Sequence, residues 1–389
     1  MTNNRYLVAL VLTLVAMTLP AQERGLRWQL GLDAGGARVA GSTQYLRGMN
    51  YKEARIDANI NGALKLGFSF DPQSRPGSLY RGAYQGLGVG VNNFQASGLL
   101  GNPVSIYAFQ GAPVARFSSR SWLSYEWQFG AAMGWQHIYN EEDYLPNMAV
   151  STRVTAHMGI SLKYNYALTK NWLLAAGLQA NHYSNGNTRI PNGGINSFGG
   201  NIGLTYLFDP AEWQSPAPDI EADADRKEWM LDVMGYGAWR RRIVFIDTEG
   251  TLCPGKFGVA GLDLTALRKF NRWFTAGVAT EFQFDESAGL APYWVEGTYD
   301  KDIKFGRPPF GKQLSAGLSG HAELTMPIFT LDVGIGYDLL KPRGDSRFYQ
   351  SLTLKTFLTR HLYLNVGYRL AEFSDPQNLK LGIGWRFGL

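Results

Sequence analysis

The chain has 389 residues, of which 18% are charged, with a formal charge of +5 and one cysteine, Cys253. A single cysteine excludes an intramolecular disulfide and a metal site built from cysteines, while a positive balance this small suits an anionic lipid surface without demanding one. So many aromatic residues and glycines beside so few charges are foreign to an ordinary water-soluble domain.

At the N-terminus, Met1-Thr2-Asn3-Asn4-Arg5 leads into an apolar run from Tyr6 to Leu19 and then Pro20-Ala21-Gln22. A charged start, an apolar core and a small residue make residues 1–22 an export signal, with the cut near Ala21 or Gln22. A membrane helix would need about 20 apolar residues, and this run is shorter. No cysteine follows the core, so a lipid anchor has no attachment residue. An exported chain without a basic helix also leaves no place for nucleic acid as a partner.

Beyond the signal no apolar stretch reaches helix-spanning length. Apolar residues instead alternate with small or polar ones in segments of about ten, separated by turn residues, as in a membrane β-barrel. Period-two reading predicts strands near 27–37, 58–70, 78–93, 103–117, 121–135, 151–166, 171–184 and 197–208. From Asp209-Pro210 through Asp225 the alternation stops, and residues 209–228 read as an acidic, proline-containing linker. Further strands are expected near 229–240, 256–267, 272–284, 312–324, 328–338, 348–358, 361–372 and 378–388.

Eight strands suffice to close a barrel filled by its own side chains. The expected fold is therefore all-β: two tandem eight-stranded antiparallel membrane barrels, residues 23–208 and 229–389. The alternative is one sixteen-stranded barrel. The tandem is favoured because both sets end on an aromatic closing strand, Tyr206-Leu207-Phe208 and Trp385-Arg386-Phe387-Gly388-Leu389. In the last strand Leu379, Leu381, Ile383, Trp385, Phe387 and Leu389 share the face that meets lipid, and Lys380, Gly382, Gly384, Arg386 and Gly388 point inward.

The same parity test puts Trp172, Leu174, Ala176, Leu178, Ala180, His182 and Ser184 on one face of their strand. His182 and Ser184 therefore project from the lipid side. Stepping back by two along the outward row Phe208, Tyr206, Leu204, Ile202 and Phe198 of the next strand reaches Asn196, which faces outward beside them if extended pairing continues that far. With both chain ends periplasmic, the connection 185–196 is extracellular. From Trp172 to Ser184 is about 12 steps of 3.3 Å, tilted by about 45°, or on the order of 28 Å of depth. That places the pair at the outer-leaflet headgroups, where a glycolipid carries its esters.

A serine hydroxyl becomes a nucleophile only with a base, and an imidazole two residues away on the same face is within reach. The ring must in turn be held in one tautomer by a third group, for which Asn196 or a carboxylate from another loop is available. Asn192, or N–H groups of Gly186 and Gly193-Gly194, would supply oxyanion donors. Glu141-Glu142-Asp143 is the alternative acid source, better explained as a solvated loop, and Arg189 has the chemistry to meet a lipid phosphate.

At these residues the chain resembles the PagL-type lipid A 3-O-deacylases, outer-membrane enzymes that remove the ester-linked 3-hydroxyacyl chain at position 3 of lipid A. The family's pattern, His-x-Ser-Asn followed by Pro-Asn-x-Gly-Ile-Glu, is matched by His182-Tyr183-Ser184-Asn185 and Pro191-Asn192-Gly193-Gly194-Ile195-Asn196. Gly101-Asn102-Pro103, with Tyr107 and Phe109, extends the likeness, which broadly follows residues 27–208. It implies Ser184 as nucleophile, His182 as general base and Asn192 in the oxyanion hole, with Asn185 and Gly193 positioning the substrate and no cofactor. One departure stands out: Asn196 replaces the family's orienting glutamate.

In the second half, Tyr368-Arg369-Leu370-Ala371-Glu372-Phe373-Ser374-Asp375 aligns with the segment around His182 but offers Glu372 and Ser374 without a base. No catalysis is expected there. His137, His157, His321 and His361 show no metal-ligand spacing. The expected activity is hydrolysis of a lipid A ester by Ser184 and His182 at the outer leaflet of the cell outer membrane, on lipopolysaccharide. The alternatives are a non-enzymatic structural or lipid-binding barrel and a phospholipase. Dimerisation is not readable from the sequence.

Overall fold

The computed structural model describes residues 25–136, 147–210, 227–246, 249–290, 292–296, 303–342, 345–373 and 375–388. The expected export signal, Glu141-Glu142-Asp143, His137, Ser374 and most of the linker lie outside them. The chain divides into two compact units, one of them residues 25–220 and the other built around residues 221–389. Each contains a closed antiparallel eight-stranded barrel, so the tandem holds and the sixteen-stranded alternative does not.

The first barrel runs in chain order through β1 (Leu26–Val39), β2 (Ala58–Phe70), β3 (Tyr84–Asn93), β4 (Gly101–Arg116), β5 (Ser121–Trp135), β6 (Val154–Ala167), β7 (Trp172–Ser184) and β8 (Ile195–Leu207). β8 closes on β1 from Gln29↔Leu207 to Val39↔Ser197. The strand expected from 78 begins only at Tyr84. Arg75–Leu79 form a short helix, α1, because Pro76 suits a first helical turn and the Ser74 side chain accepts the Gly77 N–H at 3.1 Å.

The second barrel comprises β9 (Trp229–Arg240), β12 (Phe257–Lys269), β13 (Phe274–Asp285), β16 (Leu314–Thr325), β17 (Phe329–Leu340), β18 (Phe348–Phe357), β19 (Leu362–Ala371) and β20 (Asp375–Gly388), with β20 closing on β9. Two hairpins that the sequence reading does not anticipate, β10 (Ile243–Ile246) with β11 (Glu249–Leu252) and β14 (Trp294–Glu296) with β15 (Ile303–Phe305), stand in its connections. Strands of three or four residues are too short for a period to show.

The outer walls are apolar and open: Leu32 is 60%, Leu178 69% and Val278 66% exposed. The lumens hold the charges. In the first barrel Lys65 Nζ lies 3.0 Å from Asp33 and 2.7 Å from Glu126, and Lys163 Nζ lies 3.0 and 3.1 Å from the same two acids. Ions removed from water are tolerated only when paired and hydrogen-bonded in this way. A wall of exposed leucine around a lumen of paired ions inverts a soluble protein, and an apolar surround is what such a wall requires.

One end of each barrel has the long connections. In the first these are 40–57, 94–100, 136–153 and 185–194, against 71–83, which carries α1, and the turns 117–120 and 168–171 at the other end. A cluster of buried apolar residues lies at that end, joining Tyr45, Leu46, Phe94, Leu100, Trp135, Val150, Tyr183 and Ile195. It packs the connections onto the barrel rim and fixes the backbone that carries the candidate site.

Candidate active site

β7 and β8 set the geometry. Their ladder pairs Trp172 with Tyr206 at one end and His182 with Asn196 near the other, so both members of the last pair leave the sheet on the same face. Inward neighbours confirm the parity: Gln179 reaches Asn61 at 3.3 Å, Asn181 meets His157 at 3.3 Å, and Tyr183 donates to Asn92 Oδ1 at 2.9 Å. Tyr183 also stacks on His157 at 4.9 Å and lies edge-on to Trp135 at 5.5 Å. The residue between His182 and Ser184 is thereby clamped in the lumen.

On the outward face His182 Nδ1 donates to Asn196 Oδ1 at 2.6 Å. An amide oxygen accepts but cannot donate, so this bond places the ring proton on Nδ1 and leaves Nε2 with a free lone pair. That is the tautomer a general base needs. Asn196 is held by its own backbone carbonyl, which accepts the Ala40 N–H at 2.8 Å.

Ser184 keeps its expected parity but not its expected exposure. Only 7% of it is accessible, because the connection 185–194 folds back over the strand end. Gly194 is the point of closure. Its φ of +66° is in the left-handed region, and a Cβ there would come within 3.2 Å of His182 Cε1 and 3.7 Å of Ser184 Cβ. Both catalytic candidates thus converge on one glycine. Among the described residues Ser184 makes no side-chain hydrogen bond, so its hydroxyl is uncommitted.

Asn185 and Asn192 build the fold-back. The Asn185 N–H donates to Asn192 Oδ1 at 2.9 Å, and Asn185 Nδ2 donates to Ser151 Oγ at 3.2 Å and to the Arg189 carbonyl at 2.9 Å. Asn192 Nδ2 donates one hydrogen to Asn187 Oδ1 at 3.1 Å and retains a second. The N–H groups of Gly193 and Gly194, expected among the oxyanion donors, are spent on the carbonyls of Met148 and Ala149 at 2.9 and 3.0 Å. Gly193 contributes room instead, since a Cβ there would lie 2.1 Å from Thr43 Cγ2. The Gly186 N–H carries no hydrogen bond among the described residues. Arg189 is exposed, and among the described residues it enters this network through its carbonyl.

Residues the sequence reading passed over hold this loop. Asn147 Oδ1 accepts the N–H groups of Ala149 and Val150, both at 3.0 Å, and so sets the segment on which Gly193 and Gly194 rest. Ser42 Oγ donates to the Gly194 carbonyl at 3.2 Å from the first connection. Nothing periodic marks such positions, because their partners lie in other loops.

The second barrel holds a different grouping. His321 Nε2 lies 2.9 Å from Ser319 Oγ, and His321 Nδ1 lies 2.8 Å from Asp332 Oδ1. All three residues point into the lumen, and Ser319 Oγ also donates to Glu281 at 2.6 Å. With the serine proton committed to a carboxylate and the hydroxyl buried, this cluster is part of the interior ion network. Glu372 is exposed, and its carboxylate accepts from Ser346 Oγ at 2.6 Å.

Residues 62–205 match the family model described as lipid A 3-O-deacylase (PagL), and residues 229–389 match that of the acyloxyacyl hydrolase C-terminal domain. A comparison with curated proteins found no match. Solved structures resembling the chain include CdiB from Acinetobacter baumannii (12% identity, 94% of this chain and 60% of that one, TM-score 0.17). Another is the siderophore receptor PirA from Pseudomonas aeruginosa (9% identity, 93% and 80%, TM-score 0.27). The chain spans about 60% of the length of CdiB. Likenesses this weak carry no argument beyond the barrels already described.

Proposed function

The chain belongs to the PagL lipid A 3-O-deacylase family, whose two models together cover most of its length, and from that premise we propose that it removes an ester-linked 3-hydroxyacyl chain from lipid A at the outer leaflet of the outer membrane. The observation that carries this reading is the His182–Asn196 hydrogen bond on the outward face, with the same ring and the Ser184 Cβ both lying beside Gly194. Membrane barrels put their long connections outside the cell, and the site lies at that end.

In the proposed reaction the Ser184 side chain rotates toward His182, whose Nε2 takes the hydroxyl proton as the oxygen attacks the ester carbonyl. The spare hydrogen of Asn192 Nδ2 and the Gly186 N–H are the donors left for the oxyanion. Collapse breaks the bond to the glucosamine 3-oxygen, which leaves with the proton from His182. Water, deprotonated by the same nitrogen, then releases the hydroxy fatty acid and restores Ser184. Asn196 acts throughout as the orienting group.

Mass spectra of lipid A from cells making the protein should lose one hydroxyacyl chain, and Ser184→Ala should abolish the loss. Unchanged lipid A from well-folded protein would refute the reading. The neutral amide at Asn196 favours a second one, a lipid-binding barrel that does not turn over. A serine-reactive phosphonate that labels the protein but not Ser184→Ala would exclude it, and competing glycerophospholipid esters would separate a phospholipase from a deacylase.

A further inference from the structure

The outer wall of the second barrel is broken by a groove of 910 Å³ at the ends of β12, β13, β16 and β17. Its origin is local. The β16–β17 register shifts between Ala316 and Gly317, which pair with Leu340 and Asp338, so Leu339 drops out of the ladder. A bulge of this kind bends a strand and breaks the even alternation. Leu339 and Leu340 both emerge, 55% and 69% exposed, and Leu262, Phe282, Leu314 and Pro342 complete an apolar trough.

The groove opens where the barrel's long connections gather. On that side lie 241–256, 286–313 and 341–347, whereas the opposite turns are only 270–273, 326–328 and 358–361. At its upper rim stand Lys312 and Arg347. Lys312 Nζ donates to the Tyr293 hydroxyl at 3.1 Å, and Arg347 Nη2 to the Lys341 carbonyl at 3.4 Å. Both partners are neutral, and among the described residues neither cation meets a carboxylate. Nearby acids are committed elsewhere: Asp338 to Arg369 at 2.7 Å and Lys341 at 3.0 Å, Asp345 to Arg242, and Glu286 to the Gly258 N–H at 2.7 Å.

An apolar trough crowned by two cations that meet no carboxylate among the described residues, at the level of the outer headgroups, has the chemistry of an anionic lipid inverted. We propose that this groove binds one phosphorylated glycolipid of the outer leaflet, an acyl chain lying against Leu314, Leu339 and Leu340 and a phosphate on Lys312 and Arg347. Zwitterionic lipids satisfy the trough but not the rim. The placement in the outer membrane rests on the reading above; hydrolysis at Ser184 is not required.

The test is native mass spectrometry of full-length Ser184→Ala protein, which cannot turn lipid over, in phosphatidylcholine nanodiscs titrated with lipid A. Two adducts are expected, one at Ser184 and one in the groove. Lys312→Gln with Arg347→Gln should weaken one adduct by about tenfold or more, and Leu340→Trp, which fills the trough, should remove the same one. Lipid A stripped of phosphate should fail to fill the groove. If both variants leave the adducts unchanged, or if dephosphorylated lipid A or phosphatidylethanolamine binds equally well, the groove is only a contact for bulk lipid and the proposal is overturned. A single adduct on Ser184→Ala protein that both groove variants remove would count against lipid A binding at Ser184 and leave the groove standing.

Discussion

His182 and Asn196 face each other across the β7–β8 ladder, and the imidazole Nδ1–H donates to the amide oxygen at 2.6 Å. The amide fixes the tautomer as a carboxylate would, but lends no negative charge to the imidazolium of the proposed reaction. Asn196→Ala should therefore lower kcat by about 10²- to 10⁴-fold, between the ordinary worth of a base and the cost of a wrong tautomer. Asn196→Glu should retain or raise activity. Deacylation rates on lipid A check both, and an unaltered Ala variant would remove Asn196 from the mechanism.

Gly194→Ala sets a methyl group 3.2 Å from His182 Cε1 on a backbone with φ of +66°. The ring must shift to relieve the contact. A shift of a few tenths of an ångström should lower the rate by about tenfold, short of the roughly 10²-fold that a misplacement of about 1 Å costs, with the barrel still folded as judged by its heat-dependent mobility in gels. Full activity with the methyl present would show that the ring is free to move.

Lys163 and Lys65 together neutralise Asp33 and Glu126 in the first lumen. Lys163→Met leaves that buried pair of acids one cation short, and should destabilise the barrel by about 3 kcal/mol. Urea unfolding in lipid vesicles measures it. A loss under about 1 kcal/mol would place the pair in the solvent-screened class.

Ser319→Ala should leave lipid A deacylation unchanged, although Ser319, His321 and Asp332 have the residue types of a catalytic triad at 2.9 and 2.8 Å. Their position in the lumen and the bond from Ser319 to Glu281 decide this. A fall in activity on this substitution, in folded protein, would locate chemistry in the wrong barrel.

Tandem barrels, most strand limits and the outward parity of His182 were legible because a barrel wall obeys a two-residue period over ten or more residues, long enough to outvote local exceptions. β8 extended two residues beyond the expected start at 197, which brought Asn196 into the ladder opposite His182. The bulge at Leu339 was not legible, since a skipped residue looks like ordinary sequence until its partner strand is known.

By itself, then, the sequence determined which residues face outward and which side chains share that face, because side-chain direction in a strand follows from position alone. Only the tertiary structure decided the rest. Ser184 is covered by its own loop, Gly193 and Gly194 spend their N–H groups on Met148 and Ala149, and Asn147 and Ser42 hold that loop in place. These are contacts between connections with no common period, and their partners are chosen by packing at the barrel rim rather than by spacing along the chain.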